Sequence, residues 1–110
     1  MKGLLQESGN GEKLMLKNKY FEVGQEVMTC GINNMFAKSQ KFCKEILDCM
    51  GKYKNKDWGD LEQEDKEMND KAIESGTDRI FAAYNTSEGR IYIITEWDRS
   101  VTTILFANEY

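Results

Sequence analysis

The chain has 110 residues, which is close to the size of one globular domain and leaves little room for a second independent core. Apolar residues make up 40% and charged residues 31%, a composition that supports a core and excludes wholesale disorder. Fifteen basic residues against 19 acidic ones give a net charge of −4, which argues against a general binder of nucleic acid or anionic lipid. A protein partner with a basic surface is the expectation that fits this charge.

The N-terminal residues carry no sustained hydrophobic period and include a turn-forming run at 8–11. We therefore predict a flexible arm over 1–19 and a single α+β domain over 20–110. No apolar run approaches the roughly 20 residues that span a bilayer, and the first apolar stretch is too short for a signal peptide. These features predict a cytoplasmic protein that makes no membrane contact.

The first elements of the domain are short strand pieces and a helix. Two apolar runs, 21–23 and 27–30, flank Gly24 and predict strand pieces around a tight bend. Apolar residues then recur at helical spacing as far as Met50. This pattern predicts a helix with an asparagine N-cap at 33 or 34 and Gly51 as its C-cap.

A second helix is predicted over 61–75. Asp60, with Gln63 three residues later, resembles a capping box, and Gly76 offers a stop. The apolar stripe of this segment is thin, which leaves most of the helix surface to charged residues.

Three β-rich runs form the C-terminal part of the chain, at Arg79–Asn85, Arg90–Trp97 and Val101–Phe106. The connections between them are short, and short connections join antiparallel neighbours. The middle run carries apolar residues on both faces, as a central strand does. We predict an α+β fold with two helices packed on a small antiparallel sheet that ends in a three-stranded C-terminal meander.

The charges of the middle of the chain come in two blocks. Residues 38–56 hold six lysines and two acids, a net charge of +4, whereas residues 57–78 hold nine acids and two lysines, a net charge of −7. One interpretation is a solvated helix whose first turn favours acids. The other is an acidic surface that docks on a basic partner. Its candidate residues are Asp57, Asp60, Glu62, Glu64, Asp65, Glu67, Asp70 and Glu74.

The junction between the last two strands is the other candidate site, because it concentrates polar side chains at Glu96, Asp98, Arg99 and Ser100. Arg99 could clamp an anionic ligand, with Asp98 as an acceptor. The stronger interpretation is a structural turn, because Asp and Ser stabilise turns through their own side chains. In that case we expect Arg99 to pair with Glu96, Asp98 or an acid of the second helix.

The sequence argues against most catalytic chemistry. It contains no histidine to activate a serine or cysteine nucleophile, and it lacks the glycine-rich motifs that cradle nucleotide phosphates. Three cysteines without a Cys-x-x-Cys pair make a poor metal site, and we expect free thiols. We therefore predict no catalytic residue, no metal and no cofactor.

Two segments carry a resemblance to a known family. They are Asp57-Trp58-Gly59-Asp60-Leu61 and Thr95-Glu96-Trp97-Asp98-Arg99-Ser100, and similar residues extend over about 21–110. On these residues the chain resembles small bacterial proteins that are carried on plasmids, integrated elements and phages. Members are commonly labelled plasmid-related or "type I restriction endonuclease subunit M". The resemblance implies carriage on a mobile element and an unassigned activity, and it transfers no catalytic residue.

The restriction label in that family conflicts with this chain. A methylating subunit needs a methyl-donor pocket and a target-base pocket on a much larger α/β domain. This chain has neither a glycine-rich loop nor an Asn-Pro-Pro motif, since it has no proline.

Three functions remain open from the sequence. The first is a non-catalytic protein-binding module of a mobile element, which could inhibit a host defence complex of the CRISPR or restriction type through the acidic surface. The second is a small enzyme or ligand-binding domain that uses the turn at Glu96, Asp98 and Arg99. The third is an accessory domain of plasmid maintenance, with homodimerisation through an exposed sheet edge. The expected partner is a host or element-encoded protein with a basic surface, and no direct contact with nucleic acid is expected.

Overall fold

The structure is a computed structural model that describes residues 19–110, so the predicted arm at 1–19 lies outside the described residues apart from Lys19. The described part folds into strands and helices of one α+β unit, and the predicted class is confirmed. In chain order the elements are β1 (Gln25–Met28), α1 (Cys30–Lys38), α2 (Gln40–Lys54), α3 (Gln63–Ser75), β2 (Ile80–Thr86), β3 (Gly89–Thr95), β4 (Val101–Phe106) and a 3-10 helix (Ala107–Glu109).

The sheet has the strand order β1-β4-β3-β2 and is mixed. Strands β2, β3 and β4 form the predicted antiparallel meander, whereas β1 runs parallel to β4. The expectation of a purely antiparallel sheet was therefore wrong. The parallel pairing of β1 and β4 is possible because the connection between them is long: three helices and two strands separate the two strands in sequence.

The N-terminal strand is shorter than predicted, because only Gln25–Met28 pairs in the sheet. Gly24 precedes it with a φ of +62°, and its backbone lies so close to the Ser100 carbonyl that a β-carbon would collide with it. The Gln25 N–H donates to the same carbonyl at 3.0 Å. The predicted bend at Gly24 is thus a close backbone approach that only glycine permits.

The predicted first helix is two helices, because a serine restarts the helical pattern. The Thr29 hydroxyl accepts from the Ile32 N–H and begins α1, and the Ser39 hydroxyl accepts from the Phe42 N–H and begins α2. Both are N-cap contacts that satisfy free N–H groups of a helix start. The proposed caps were therefore wrong, and α2 continues past the exposed Gly51 to Lys54.

The third helix begins two residues later than predicted, at Gln63, with Glu62 as an N-cap that makes no side-chain capping bond. Asp60 does not cap this helix, because its carboxylate binds Arg90 instead. The predicted stop is confirmed: Gly76 adopts the left-handed conformation at a φ of +69°, and its N–H donates to the Ala72 carbonyl.

All three helices contribute to one core on one face of the sheet. Alternate residues of the meander point into it, and each fully buried isoleucine there contributes about 1.5–3 kcal/mol by leaving water. The core includes Ile32 of α1, Phe42, Ile46 and Tyr53 of α2, Ala72 of α3, and Ile80, Ala82, Ile91, Ile93 and Ile104 of the sheet.

A chain of buried hydroxyls crosses this core. Tyr53, Thr95 and Thr102 are each 0% exposed. The Thr102 hydroxyl donates to the Val23 carbonyl at 2.7 Å and lies 2.6 Å from the Thr95 hydroxyl, which lies 2.7 Å from that of Tyr53. Each hydroxyl has one hydrogen, so Thr95 donates to Thr102 and Tyr53 donates to Thr95. The Tyr53 hydroxyl also lies 3.2 Å from the Ile80 carbonyl, which is a second acceptor for its hydrogen. Burial raises the pKa of Tyr53, which keeps this donor protonated.

The outer edge of β2 is hydrogen-bonded to the loop before α3 and to a side chain of α3. The Ala83 N–H donates to the Trp58 carbonyl at 3.3 Å, and the Ala83 carbonyl accepts from the Asp60 N–H at 2.7 Å. Asn69 of α3 binds both the N–H and the carbonyl of Phe81 through its amide. This edge is therefore closed to another strand, and a dimer through a sheet edge would have to use β1.

The hydrogen bond between Thr95 and Thr102 predicts that threonine-to-valine substitutions at the two positions are coupled. Thr102→Val removes the hydroxyl donor of the Val23 carbonyl and the acceptor of the Thr95 hydroxyl, so it should lower the free energy of unfolding by about 1–3 kcal/mol. The Thr95 hydroxyl can then donate to Tyr53, whose hydrogen has the Ile80 carbonyl as an acceptor. Because either single variant loses the bond between Thr95 and Thr102, the double variant should cost less than the sum of the single variants, by about 0.5 kcal/mol or more. Urea denaturation of the three variants measures this, and additive costs would contradict the coupling.

Candidate functional site

The candidate acidic surface lies on α3 and on the loop that leads into it. All eight of its carboxylates are exposed. The helix turns Asn69 and Ala72 inward, where they are 4% and 1% exposed, and this register turns most of the acids outward. None of the candidate acids is buried in the protein's own core.

Three of these acids have structural partners. Asp60 forms an ion pair with Arg90 at 2.7 Å and accepts from the Asn85 amide. The hydrogen bond from Arg90 holds the pKa of Asp60 below its ordinary value. Asp57 accepts from the Gly59 N–H, and Asp70 accepts from the Trp58 indole at 3.2 Å. These carboxylates stabilise the loop before α3.

The other five acids form what we call the acidic face. It consists of Glu62, Glu64, Asp65, Glu67 and Glu74. Among residues 19–110 none of them makes an ion pair. One weak contact is present, in which the Gln63 amide lies 3.4 Å from the Glu67 carboxylate. The acidic face is therefore negative charge that the described fold leaves to solvent.

The segment Trp58-Gly59-Asp60 is built into the fold. Trp58 is 3% exposed and packs against Phe21 and Tyr53, with ring centroids 5.8 and 5.6 Å away. Gly59 has a φ of +74° and lies against the Ala83 carbonyl, where no β-carbon fits. Trp58 therefore belongs to the core, and the first segment of the family resemblance has a structural explanation.

The turn at 96–100 holds Arg99 in a structural role. Its guanidinium donates to four backbone carbonyls, which belong to Ala72, Asp78, Glu96 and Trp97, at 2.7–3.3 Å. Pairing of Arg99 with a carboxylate was therefore the wrong expectation. One of the four, the Ala72 carbonyl, lies in the last turn of α3, where partial negative charge attracts a cation. The guanidinium is occupied and is not set up as an anion clamp.

The other polar groups of this turn are also engaged. Asp98 accepts from the Ser100 N–H at 3.0 Å, and hydrogen bonding from Ser100 holds the pKa of Asp98 below its ordinary value. Glu96 contributes its backbone, through an N–H that donates to the Val101 carbonyl at 3.0 Å. Trp97 is exposed at the tip. The geometry favours a structural turn over a ligand site.

The cysteines do not form a reactive centre. All three are free thiols, as predicted. Their solvent exposure differs: Cys30 is exposed, Cys43 is half-buried and Cys49 is buried. Burial raises the pKa of Cys49 to about 11, so its thiol is a weak nucleophile at neutral pH. Within the described part of the chain, no group of three or more cysteines and carboxylates is arranged to hold a metal ion.

We did not predict from the sequence that the sheet face away from the core carries an aromatic pair next to the acidic helix. Phe81 and Tyr92 lie there with ring centroids 4.8 Å apart, and both are half-buried. The signal was present in the alternation of the strands, which places apolar residues on both faces.

Comparisons with known proteins add no assignment, since no family model, no curated protein and no solved structure matches the chain. The resemblance to mobile-element proteins thus stays a prediction. Between residues 19 and 110, none of the helices has the length and apolar character that crossing a bilayer requires.

The four carbonyl contacts of Arg99 predict a loss of stability in Arg99→Lys. One ammonium group retains the charge but cannot reach four carbonyls, so the free energy of unfolding should fall by about 1–3 kcal/mol. Amide hydrogen exchange at the last turn of α3 should accelerate as well. The control is Arg79→Lys at an exposed site, which should change stability by less than about 0.5 kcal/mol. Equal stability and equal exchange in the two variants would refute the structural role.

Proposed function

We propose that the protein is a non-catalytic protein-binding module that docks on a basic partner through the acidic face of α3. The observation that carries this proposal is that the five acids of the acidic face are exposed and make no ion pair among the described residues. Complementary charge on a partner would speed association and select that partner.

The helix dipole accounts for only part of the acidic face. Acids in the first turn are each stabilised by about 0.3–1 kcal/mol, which covers Glu64 and Asp65. Glu74 lies in the last turn, where the dipole disfavours an acid and where no basic residue is present. Arg99 donates to the Ala72 carbonyl and supplies positive charge at this end of α3, yet neither Arg99 nor Lys71 forms an ion pair with Glu74 among the described residues. The Glu74 carboxylate therefore stays available to a partner, which supports a binding role.

The proposal extends to the biological setting through the family resemblance. Proteins of mobile elements gain from inactivating host defence complexes, and such complexes carry basic surfaces that hold nucleic acid. An acidic face can occupy such a surface in place of nucleic acid. We therefore propose a host defence complex of the CRISPR or restriction type as the partner class. The occupied guanidinium of Arg99 weakens the alternative of a ligand-binding turn.

Charge reversal on the acidic face should abolish capture of a partner. The variant carries Glu62→Lys, Glu64→Lys and Glu67→Lys, and it is compared with wild type in affinity capture from a bacterial host lysate at rising salt. Wild type should retain a partner at low salt and lose it as salt rises, because exposed charges are screened over about 8–10 Å. The variant should retain none.

The matched control reverses three exposed acids elsewhere, with Glu22→Lys, Asp48→Lys and Glu88→Lys. It changes net charge by the same amount and should keep the partner. The proposal fails if wild type retains no partner, or if both triple variants behave alike.

A further inference from the structure

Two adjoining clefts lie beside α3 at the edge of the sheet. They are bounded by α3 and by the sheet face that carries Phe81 and Tyr92 and points away from the core. The larger one, of about 510 Å³, is lined among others by Leu61, Glu62, Asp65, Phe81 and Tyr92. The smaller one, of about 260 Å³, is lined among others by Asp65, Met68, Asp78 and Phe81. Asp65 and Phe81 line both clefts and so stand where they meet. We call the two clefts together the α3 groove.

The position of Asp65 beside Phe81 follows from the helix register. Asn69 is held against β2 by its two hydrogen bonds to the Phe81 backbone, at 2.7 and 3.1 Å. Asp65 lies one turn earlier, and residues four apart share a helix face. Asp65 therefore differs from Glu67 of the same acidic face, which lies outside both clefts.

The carboxylate of Asp65 has no ion-pair partner in the part of the chain that the structure describes. Glu62 at the rim of the groove has none either. The groove thus combines an aromatic floor with unpaired negative charge, and an arginine side chain complements both.

The protein already combines these groups in its own structure. Arg90 places its guanidinium carbon 5.9 Å from the centre of the Tyr92 ring while it pairs with Asp60 at 2.7 Å. Arg79 lies 5.8 Å from the centre of the Tyr110 ring. Arg90 lines the larger cleft and Arg79 the smaller one, so guanidinium groups already pack on rings in these surroundings. Four acids line the two clefts and outnumber these two arginines, so the groove keeps an excess of negative charge.

We propose that the α3 groove is the specific anchor of the acidic face and receives an arginine side chain of the partner. The guanidinium lies against the Phe81 ring and donates to the Asp65 carboxylate, and Glu62 adds charge at the rim. This inference rests on the proposed function, since it names the chemical group of the basic partner that the acidic face recognises.

Arginine fits the groove better than lysine for a geometric reason. A planar guanidinium can lie on an aromatic ring and direct its N–H groups sideways to a carboxylate, whereas a hydrated ammonium group satisfies the two contacts less well together. The rest of the acidic face acts at longer range and does not distinguish the two cations.

Titration of the protein with hexa-arginine and hexa-lysine peptides tests the proposal. Binding is followed by NMR of isotope-labelled protein at low salt, with the Phe81 ring and the Asp65 amide as reporters. We expect tighter binding of hexa-arginine, together with shift changes at both reporters. Asp65→Asn and Phe81→Leu should each weaken hexa-arginine binding by about two- to fivefold and reduce the preference over hexa-lysine.

Glu67→Gln is the matched control, because it removes one charge of the same acidic face outside the groove. It should change the affinity for the two peptides equally and leave the preference for arginine intact. The wild-type reporters make the test independent of the folding of Phe81→Leu, which is checked by its melting temperature.

The outcomes distinguish a failure of the arginine site from a failure of the proposed docking on a basic partner. If both peptides bind alike, or if Asp65→Asn and Glu67→Gln have the same effect, the groove is not an arginine site and the acidic face acts by charge alone. Shift changes that spare Phe81 lead to the same conclusion. If neither peptide binds at low salt, the proposed docking on a basic partner fails as well.

Discussion

The buried hydroxyl chain from Tyr53 through Thr95 and Thr102 to the Val23 carbonyl is the constraint on which the rest of the fold depends. It joins α2, two strands and the segment before β1 in the interior of the protein. A buried hydroxyl without a partner costs about 1–3 kcal/mol, so the chain is stable only when all its members are in place. It therefore fixes the helix and the sheet in one relative position.

This arrangement determines what the polar residues near the sheet can do. Thr95 and Thr102 flank the polar turn at 96–100, and both are used inside the core. Arg99 of this turn is occupied by four backbone carbonyls, one of which lies at the end of α3. The side chains that made this turn look like a ligand site serve to hold the fold together. The five acids of the acidic face, in contrast, form no ion pair with any residue between 19 and 110.

The sequence predicted the parts of the fold that depend on local pattern. Alternating β-rich runs with short connections were sufficient for the meander, and Gly76 was sufficient for the end of α3. The break between α1 and α2 was not predicted, because Ser39 sits within an apolar pattern that continues across it. The parallel pairing of β1 with β4 depends on contacts distant in sequence, which no local pattern reports.

The candidate site was predicted in part for the same reason. The acidic segment is visible in composition, but composition does not distinguish Asp60, which pairs with Arg90, from Glu64, which pairs with nothing described. The carbonyl partners of Arg99 have no sequence signature, because every residue carries a carbonyl. The α3 groove needs Asp65 and Phe81 side by side, and only the docking of Asn69 on β2 brings them together.

We propose that folding does not need the acidic face, which is therefore available to a partner. The most direct test is the free energy of unfolding of a variant in which all five of its acids become amides, measured by urea denaturation at low salt. We expect this variant to fold normally and to lie within about 1 kcal/mol of wild type, because no described ion pair is lost and relief of like-charge repulsion offsets the lost interaction of Glu64 and Asp65 with the helix dipole. A loss of several kcal/mol, or failure to fold, would show that these carboxylates are structural and would contradict the account.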